Sequence, residues 1–160
     1  MASQLTVRRG RRDVLRNVTF TVKPGERIAI IGSFGAWKTT LLRTIAGLVR
    51  PRTGNVHING VATTSSDSGV RRTVGFLGHR PHLYPYLTAR ENLQIQSRLF
   101  GVQNAGLRID TTLSTVGLAN SADRPVREFS RGMLQRLWLG LAMLHSPSVL
   151  LLDEPDAGLD

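Results

Sequence analysis

The chain contains no cysteine, and of its 21 basic residues only two, at positions 23 and 38, are lysine. Without cysteine there is neither a disulfide scaffold nor a thiolate metal site, which fits a reducing compartment. Long apolar runs are missing too. The longest, residues 137–144 and 149–152, fall far below the roughly 18 consecutive residues that a membrane span needs, so the chain itself reads as soluble. Residues 1–13 have no apolar core and quickly turn basic, which excludes a secretory signal. Acidic residues are scarce, 11 against 21 basic ones, leaving a formal net charge of +10. A balance of this kind points to nucleic acid, a nucleotide or an anionic membrane surface as neighbour. Apart from Arg8, Arg9, Arg11 and Arg12 and the pair Arg71-Arg72, however, the arginines are scattered. That is the pattern of a solvated surface, and no nucleic-acid partner is expected. His57, His82 and His145 have no ligand-like spacing, so they suggest no metal site.

What is present is a hydrophobic content of 41% in 160 residues, enough for one substantial core. Residues 18–22 alternate as a strand does, and Pro24-Gly25 makes a turn. Arg27-Ile28-Ala29-Ile30-Ile31 is a short apolar run ending in glycine, the pattern of a fully buried parallel strand. After Lys38, apolar residues recur at helical spacing (Leu41, Leu42, Ile45, Leu48, Val49) until Pro51 stops the helix. Residues 55–61 read as strand with a tight Asn59-Gly60 turn, and residues 73–77 as another strand. Thr88-Ala89-Arg90-Glu91 is a capping box. Helices are expected over 89–100 and 107–116, and from near Ser130 to about His145. A second buried strand is expected at 149–152.

Between the first apolar run and the first helix lies Gly32-Ser33-Phe34-Gly35-Ala36-Trp37-Lys38-Thr39-Thr40. A phosphate loop needs consecutive backbone N–H groups turned into one small cup at the positive end of a helix. Glycine lets the backbone approach phosphate with no Cβ in the way. In that reading Lys38 reaches the β- and γ-phosphates and the Thr39 hydroxyl holds Mg²⁺. The apolar run 149–152 ends in Asp153-Glu154, two carboxylates at the carboxyl end of a strand, where open α/β sheets bind ligands. Asp153 suits the Mg²⁺ shell, and Glu154 suits orientation or deprotonation of a water. In Phe129-Ser130-Arg131-Gly132-Met133-Leu134-Gln135-Arg136-Leu137, Ser130 and Gly132 stand at a helix start, another anion-binding arrangement.

These three motifs, in this order and with Asp156-Ala157-Gly158-Leu159-Asp160 closing the chain, resemble the ATP-binding cassette (ABC) family. Residues 129–137 resemble its signature sequence, and 156–160 its D-loop. The resemblance implies an α/β P-loop NTPase with an inserted helical subdomain and a missing carboxy-terminal part. Residues 1–86 would be the first part of the core, 87–135 the helical subdomain, and 136–160 the return to the core. It also implies two cassettes pairing head to tail, each ATP held by one P-loop and the partner's signature serine, with Glu154 as general base. The movement would drive a separate transmembrane permease subunit from the cytoplasmic face of the membrane. His79 occupies the position where most cassettes carry a glutamine. The setting Leu77-Gly78-His79, with Phe129-Ser130-Arg131-Gly132-Met133, looks like the ATP-binding subunit of the haem exporter of cytochrome c biogenesis. Drug and polysaccharide exporters remain the alternative, as does a degenerate cassette that binds but does not hydrolyse.

Four departures from the family pattern stand out. Trp37 fills the glycine position before Lys38, where it either crowds the phosphate cup or swings outward and leaves the loop intact. Arg9 stands where the family's adenine-stacking aromatic falls; a guanidinium stacks on a base too. Few residues precede Leu5, so the usual first strand is expected to be short or missing. The chain stops at Asp160, before the family's switch histidine, and reads as truncated.

Overall fold

The computed structural model describes residues 1–32, 36–63, 72–78 and 83–155. They divide into two compact units, residues 1–74 and 75–160.

Among the described residues, the first unit contains an antiparallel sheet and helix α1 (Ala36–Ile45). Strands β1 (Ala2–Arg9), β2 (Arg12–Phe20), β3 (Thr53–Ile58) and β4 (Val61–Ala62) lie in the order β2-β1-β3-β4. The expectation of a short or missing first strand is corrected: β1 has eight residues and pairs with both β2 and β3. Its inward residues Ala2, Leu5 and Val7 meet Leu15 of β2 and Val56 and Ile58 of β3 in the buried set. The β1–β2 ladder shifts register between Ala2 and Leu5 and again towards the hairpin end, with Gln4 and Asn17 in the left-handed region. The Asn59-Gly60 turn joins β3 to β4 with both residues at positive φ, the geometry such turns demand.

Helix α1 (Ala36–Ile45) packs against β2 and buries Leu41, Leu42 and Ile45. It ends earlier than Pro51. Gly47, at φ +72, donates its N–H to Thr44 O at 3.1 Å, and Leu48 donates to Arg43 O at 2.9 Å. This pair of bonds satisfies the last carbonyls and needs a residue free to adopt left-handed φ. The apolar run 27–31 is corrected as well. It forms no strand, and Ile28 and Ile31 are 50% and 88% exposed. Apolar composition matches a buried parallel strand, but such a strand exists only through ladder bonds to neighbours. The unit's own sheet is antiparallel and does not include this run.

Among its described residues the second unit holds a two-stranded sheet, β5 (Val74–Leu77, beginning at the boundary) with β6 (Val149–Leu152), and three α-helices, α2 (Ala89–Phe100), α3 (Ala105–Thr115) and α4 (Arg131–Met143). β6 is less buried than its composition suggests: Leu151 is buried while Leu150 is 39% exposed, because two strands cover only part of each other. Gly75 is a close-approach position, where a Cβ would meet Ala142 O, Pro147 and Leu150. Leu77 packs with Trp138 and Ala142, which makes Trp138 a packing residue, as its helical spacing suggests.

The helices enclose Ala89, Leu93, Ile109, Leu113, Leu137 and Leu141 in one apolar cluster. α3 and α4 close each other's ends with arginines. Arg108 donates to Leu144 O (2.8 Å), Met143 O (3.2 Å) and Ser146 Oγ (2.6 Å), and Arg136 to Gly117 O (3.0 Å) and Val116 O (3.4 Å). Cations at helix carboxyl ends satisfy orphan carbonyls and oppose the helix dipole. The capping box forms as its sequence implies: Glu91 N donates to Thr88 Oγ1 at 3.1 Å and Thr88 N to Glu91 Oε2 at 2.7 Å. Thr88→Ala removes the first of these bonds, and the expected cost is about 1 kcal/mol, read as a lower midpoint in urea unfolding with unchanged slope.

Candidate functional site

The phosphate-loop residues lie in the first unit. Ser33, Phe34 and Gly35 fall outside the described residues; Ala36 opens α1, and Trp37, Lys38, Thr39 and Thr40 occupy its first turns. The first turn of α1 carries no acidic residue, so no carboxylate there offsets the positive end of the helix dipole. Thr40 is buried, Thr39 partly exposed. The Trp37 ring turns towards Gly32. Its indole lies on Gly32, where an added Cβ would collide with Cζ2 and sit 3.3 Å from Cε2. Lys38 folds back as well: Nζ donates to Gly32 O at 2.7 Å and stands 5.8 Å from the centre of the Trp37 ring. Gly32, Trp37 and Lys38 thus form one local cluster.

Arg9 ends β1, exposed and directly opposite Arg12 of β2. Beside it Arg8 Nε donates to Asp13 Oδ1 at 2.9 Å, and this guanidinium holds the Asp13 carboxyl below its usual range, with Arg52 and Arg16 adding attraction.

The second unit carries the carboxylates. Asp153 is buried at the end of β6, its N–H donating to Leu77 O at 2.9 Å, and its Oδ2 has no hydrogen-bond partner. A buried carboxylate oxygen without a donor is costly unless a cation or water meets it. Glu154 is exposed and sits at φ +53, a conformation uncommon outside glycine and enriched at functional sites. On its other side Gln135 Nε2 donates to Pro155 O at 3.0 Å. The Asp153-Glu154-Pro155 turn is therefore pinned at both ends, to β5 and to α4.

Ser130 caps α4, its Oγ accepting from Met133 N at 3.3 Å. Gly132 lies in the first turn of the same helix. His79 and residues 156–160 fall outside the described residues. Two residues to which sequence reasoning gave no individual role brace backbone in the second unit. One is Gln135. The other is Asn92, buried in α2, whose amide accepts from Tyr84 N at 2.8 Å and donates to Tyr84 O at 3.2 Å and Thr88 O at 2.8 Å, tying down residues 84–88. A buried asparagine on the apolar face of a helix was the only signal available for it.

The donor chemistry fits the ligands that the sequence suggests. Thr39 in the first unit and Asp153 in the second each carry an oxygen of the hard kind that Mg²⁺ takes, and the unpartnered Asp153 Oδ2 suits a cation. The Gly32 cradle fits phosphate less well, because the Trp37 ring already rests on it.

The family model of ABC transporters matches residues 15–157. The chain is 38% identical to the ABC transporter ATP-binding protein NatA of Bacillus subtilis, over 91% of this chain and 61% of that protein. It is 40% identical to the cytochrome c biogenesis ATP-binding export protein CcmA of Bordetella bronchiseptica (94% and 67%), and 37% identical to the bacitracin transport ATP-binding protein BcrA of Bacillus licheniformis (99% and 51%). It thus spans about half to two thirds of the length of the curated relatives it matches. Among solved structures, an ATP-binding subunit of an ABC transporter superposes with a TM-score of 0.88 at 32% identity, over 98% of this chain and 66% of that one. A dimeric ATP-binding cassette in a post-hydrolysis state, bound to ADP and Pi, does so with 0.86 at 28% identity, over 99% and 75%. Among the described residues no helix is long and apolar enough to cross a membrane. The chain belongs to the ABC transporter family, with the α/β P-loop NTPase fold of its ATP-binding domain.

Proposed function

We propose that this chain is the ATP-binding and ATP-hydrolysing part of an exporter's ATPase subunit, peripheral to the cytoplasmic face of a membrane. The observation that supports this most directly is the pinned turn at the end of β6, with a buried, unpartnered carboxylate oxygen on Asp153 beside an exposed Glu154. Lys38 and the amino end of α1, together with the backbone of residues 32–36, bind the phosphates, and Arg9 stacks on the base. Thr39 and Asp153 hold Mg²⁺, which when bound neutralises charge on the phosphates. Glu154 takes a proton from the attacking water, with His79 assisting its orientation. Ser130 and Gly132 meet the nucleotide of a second cassette, and a separate permease subunit carries the transport path. In this reading the organisation is 1–86 and 136–160 as core with 87–135 as helical subdomain.

Haem is the favoured cargo because the Leu77-Gly78-His79 and Phe129-Ser130-Arg131-Gly132-Met133 segments resemble that branch and a CcmA protein is among the relatives at 40% identity. NatA and BcrA are nearly as similar, so the ATPase subunit of a drug or polysaccharide exporter is the competing assignment. The Trp37 ring on Gly32 favours one further reading, a cassette that pairs but turns over slowly or not at all. Lys38→Ala decides whether the loop binds nucleotide. Its ammonium is the point charge of the proposed site, so ATP affinity measured by calorimetry is expected to fall at least about tenfold. Unchanged affinity would remove Lys38 from the site and the reading with it.

A further inference from the structure

The net positive charge of the chain is confined to its first unit. Residues 1–74 carry thirteen Lys and Arg against three Asp and Glu, whereas residues 75–160 carry eight against eight. The entire net charge of +10 therefore belongs to the unit built on the β1–β2 hairpin.

The two units also use arginine differently. In the second, Arg90 is held by Asp110 (2.6 Å) and Asp123 (3.1 Å), Arg124 by Glu128, and Arg127 lies over the Tyr86 ring, while Arg108 and Arg136 close helix ends. These arginines have structural work. In the first unit, among the described residues, Arg8 alone of the arginines enters a hydrogen bond or ion pair through its side chain. Arg9, Arg11, Arg12, Arg16 and Arg52 are all exposed. Arg9 and Arg12 stand directly opposite each other across the hairpin, and like charges in that position destabilise a strand pair. Arg16 and Arg52 share with Arg8 the field of a single carboxylate, Asp13. A compositional preference for arginine would leave the same pattern in both units. A locally unfavourable arrangement confined to one surface is instead what an external anion relieves.

We infer that the β1–β2 hairpin, with Arg11, Arg12 and Arg16 at its centre, docks on the phosphate headgroups of an anionic lipid surface. The anion must be a phosphate-rich surface, because the charges spread from the hairpin tip along β2 to the residue before β3 and do not converge on one point. Lipid is favoured over nucleic acid by what the hairpin lacks. No aromatic residue lies between positions 1 and 19, so the hairpin lacks the row of aromatic rings on which successive bases of a strand stack. The choice of lipid also rests on the transporter reading, which places the chain at a membrane. Clusters of four to eight basic residues are the usual signature of attraction to anionic lipid.

The test is cosedimentation of the chain with vesicles of phosphatidylcholine alone or with about 30% phosphatidylglycerol, across a salt series, without nucleotide. Binding only to the anionic vesicles, weakening as salt rises, is expected. The triple variant Arg11→Gln, Arg12→Gln, Arg16→Gln is expected to lose at least about tenfold in partitioning. A triple variant of equal charge change in the second unit, Arg98→Gln, Arg124→Gln, Arg127→Gln, is expected to lose less than about twofold. Arg12→Glu separates surface from fold: opposite Arg9 it makes a favourable cross-strand pair, so thermal stability rises while vesicle binding falls. Failure to bind anionic vesicles, equal losses in both triple variants, or tighter salt-dependent binding to DNA or RNA than to vesicles would each overturn the inference. Since no arm involves ATP, a failure here is distinct from a failure of nucleotide binding, which Lys38→Ala reads.

Discussion

Trp37→Gly is expected to raise the affinity of the chain for ATP by about ten- to a hundredfold, and to do so while lowering its thermal stability slightly. The gain follows from where the ring lies. Its indole rests on Gly32 closely enough that a single added Cβ there would collide with it, and it stands beside the Lys38 ammonium, which is turned to Gly32 O at 2.7 Å. Phosphate bound at Gly32 as proposed would have to displace the ring, and forcing a side chain off its preferred packing costs about 1–3 kcal/mol, which is about ten- to a hundredfold in affinity. The small loss of stability follows from glycine in the first turn of α1, where it costs up to about 1 kcal/mol. Calorimetric titration with ATP and Mg²⁺ reads the first effect and thermal unfolding the second. A double-mutant cycle with Gly32→Ala isolates the contact. Gly32→Ala alone drives a methyl into the indole, whereas in the Trp37→Gly background that collision is gone, so the two substitutions are strongly non-additive in stability. If Trp37→Gly leaves ATP affinity unchanged, the ring is not what limits the loop. A cassette that pairs without binding nucleotide then becomes the better reading.

How much of this was legible in the sequence depends on whether a feature is local. The capping box at Thr88 and Glu91, the Asn59-Gly60 turn and the Ser130 cap are set by side chains within four residues of the backbone they satisfy, and all three form. The spacing of apolar residues placed α2, α3 and α4 because each buries one stripe in a shared cluster. The apolar run 27–31 failed because a strand is a property of neighbours: its composition does not say which chain supplies the ladder. The first strand was underestimated for the converse reason. Ala2 and Ser3 look unremarkable alone, yet each pairs with a partner on β3 more than fifty residues away. The end of α1 was misplaced because Pro51 is a louder signal than Gly47, although the glycine satisfies the carbonyls four residues earlier. Residue identity marked Lys38, Asp153 and Glu154, but not the side-chain contacts around them. Neither the indole on Gly32 nor the amide of Gln135 on Pro155 has a signature in spacing, since each depends on a side-chain direction that only the fold decides.

Those supports shape the second large effect. In a Trp37→Gly background, Glu154→Gln is expected to lower steady-state ATP hydrolysis by about a hundredfold or more, the scale of a lost general base, with ATP affinity held within about twofold. The backbone argument separates the two quantities. Glu154 sits at φ +53 because Asp153 N is fixed to Leu77 O and Pro155 O to Gln135, and glutamine pays the same conformational cost there as glutamate. The substitution therefore removes a proton acceptor and leaves the turn in place, so Asp153 keeps its burial and its position for Mg²⁺. Glu154→Gly acts in the opposite sense. It relieves the left-handed strain and is expected to stabilise the fold while abolishing hydrolysis as fully as glutamine does. Single-turnover release of phosphate, read beside equilibrium binding, distinguishes the outcomes. Hydrolysis that survives Glu154→Gln assigns the proton to another group and leaves Glu154 a role in the turn alone. Hydrolysis and binding lost together would mean that the carboxylate supports the nucleotide, and not the attack of water upon it.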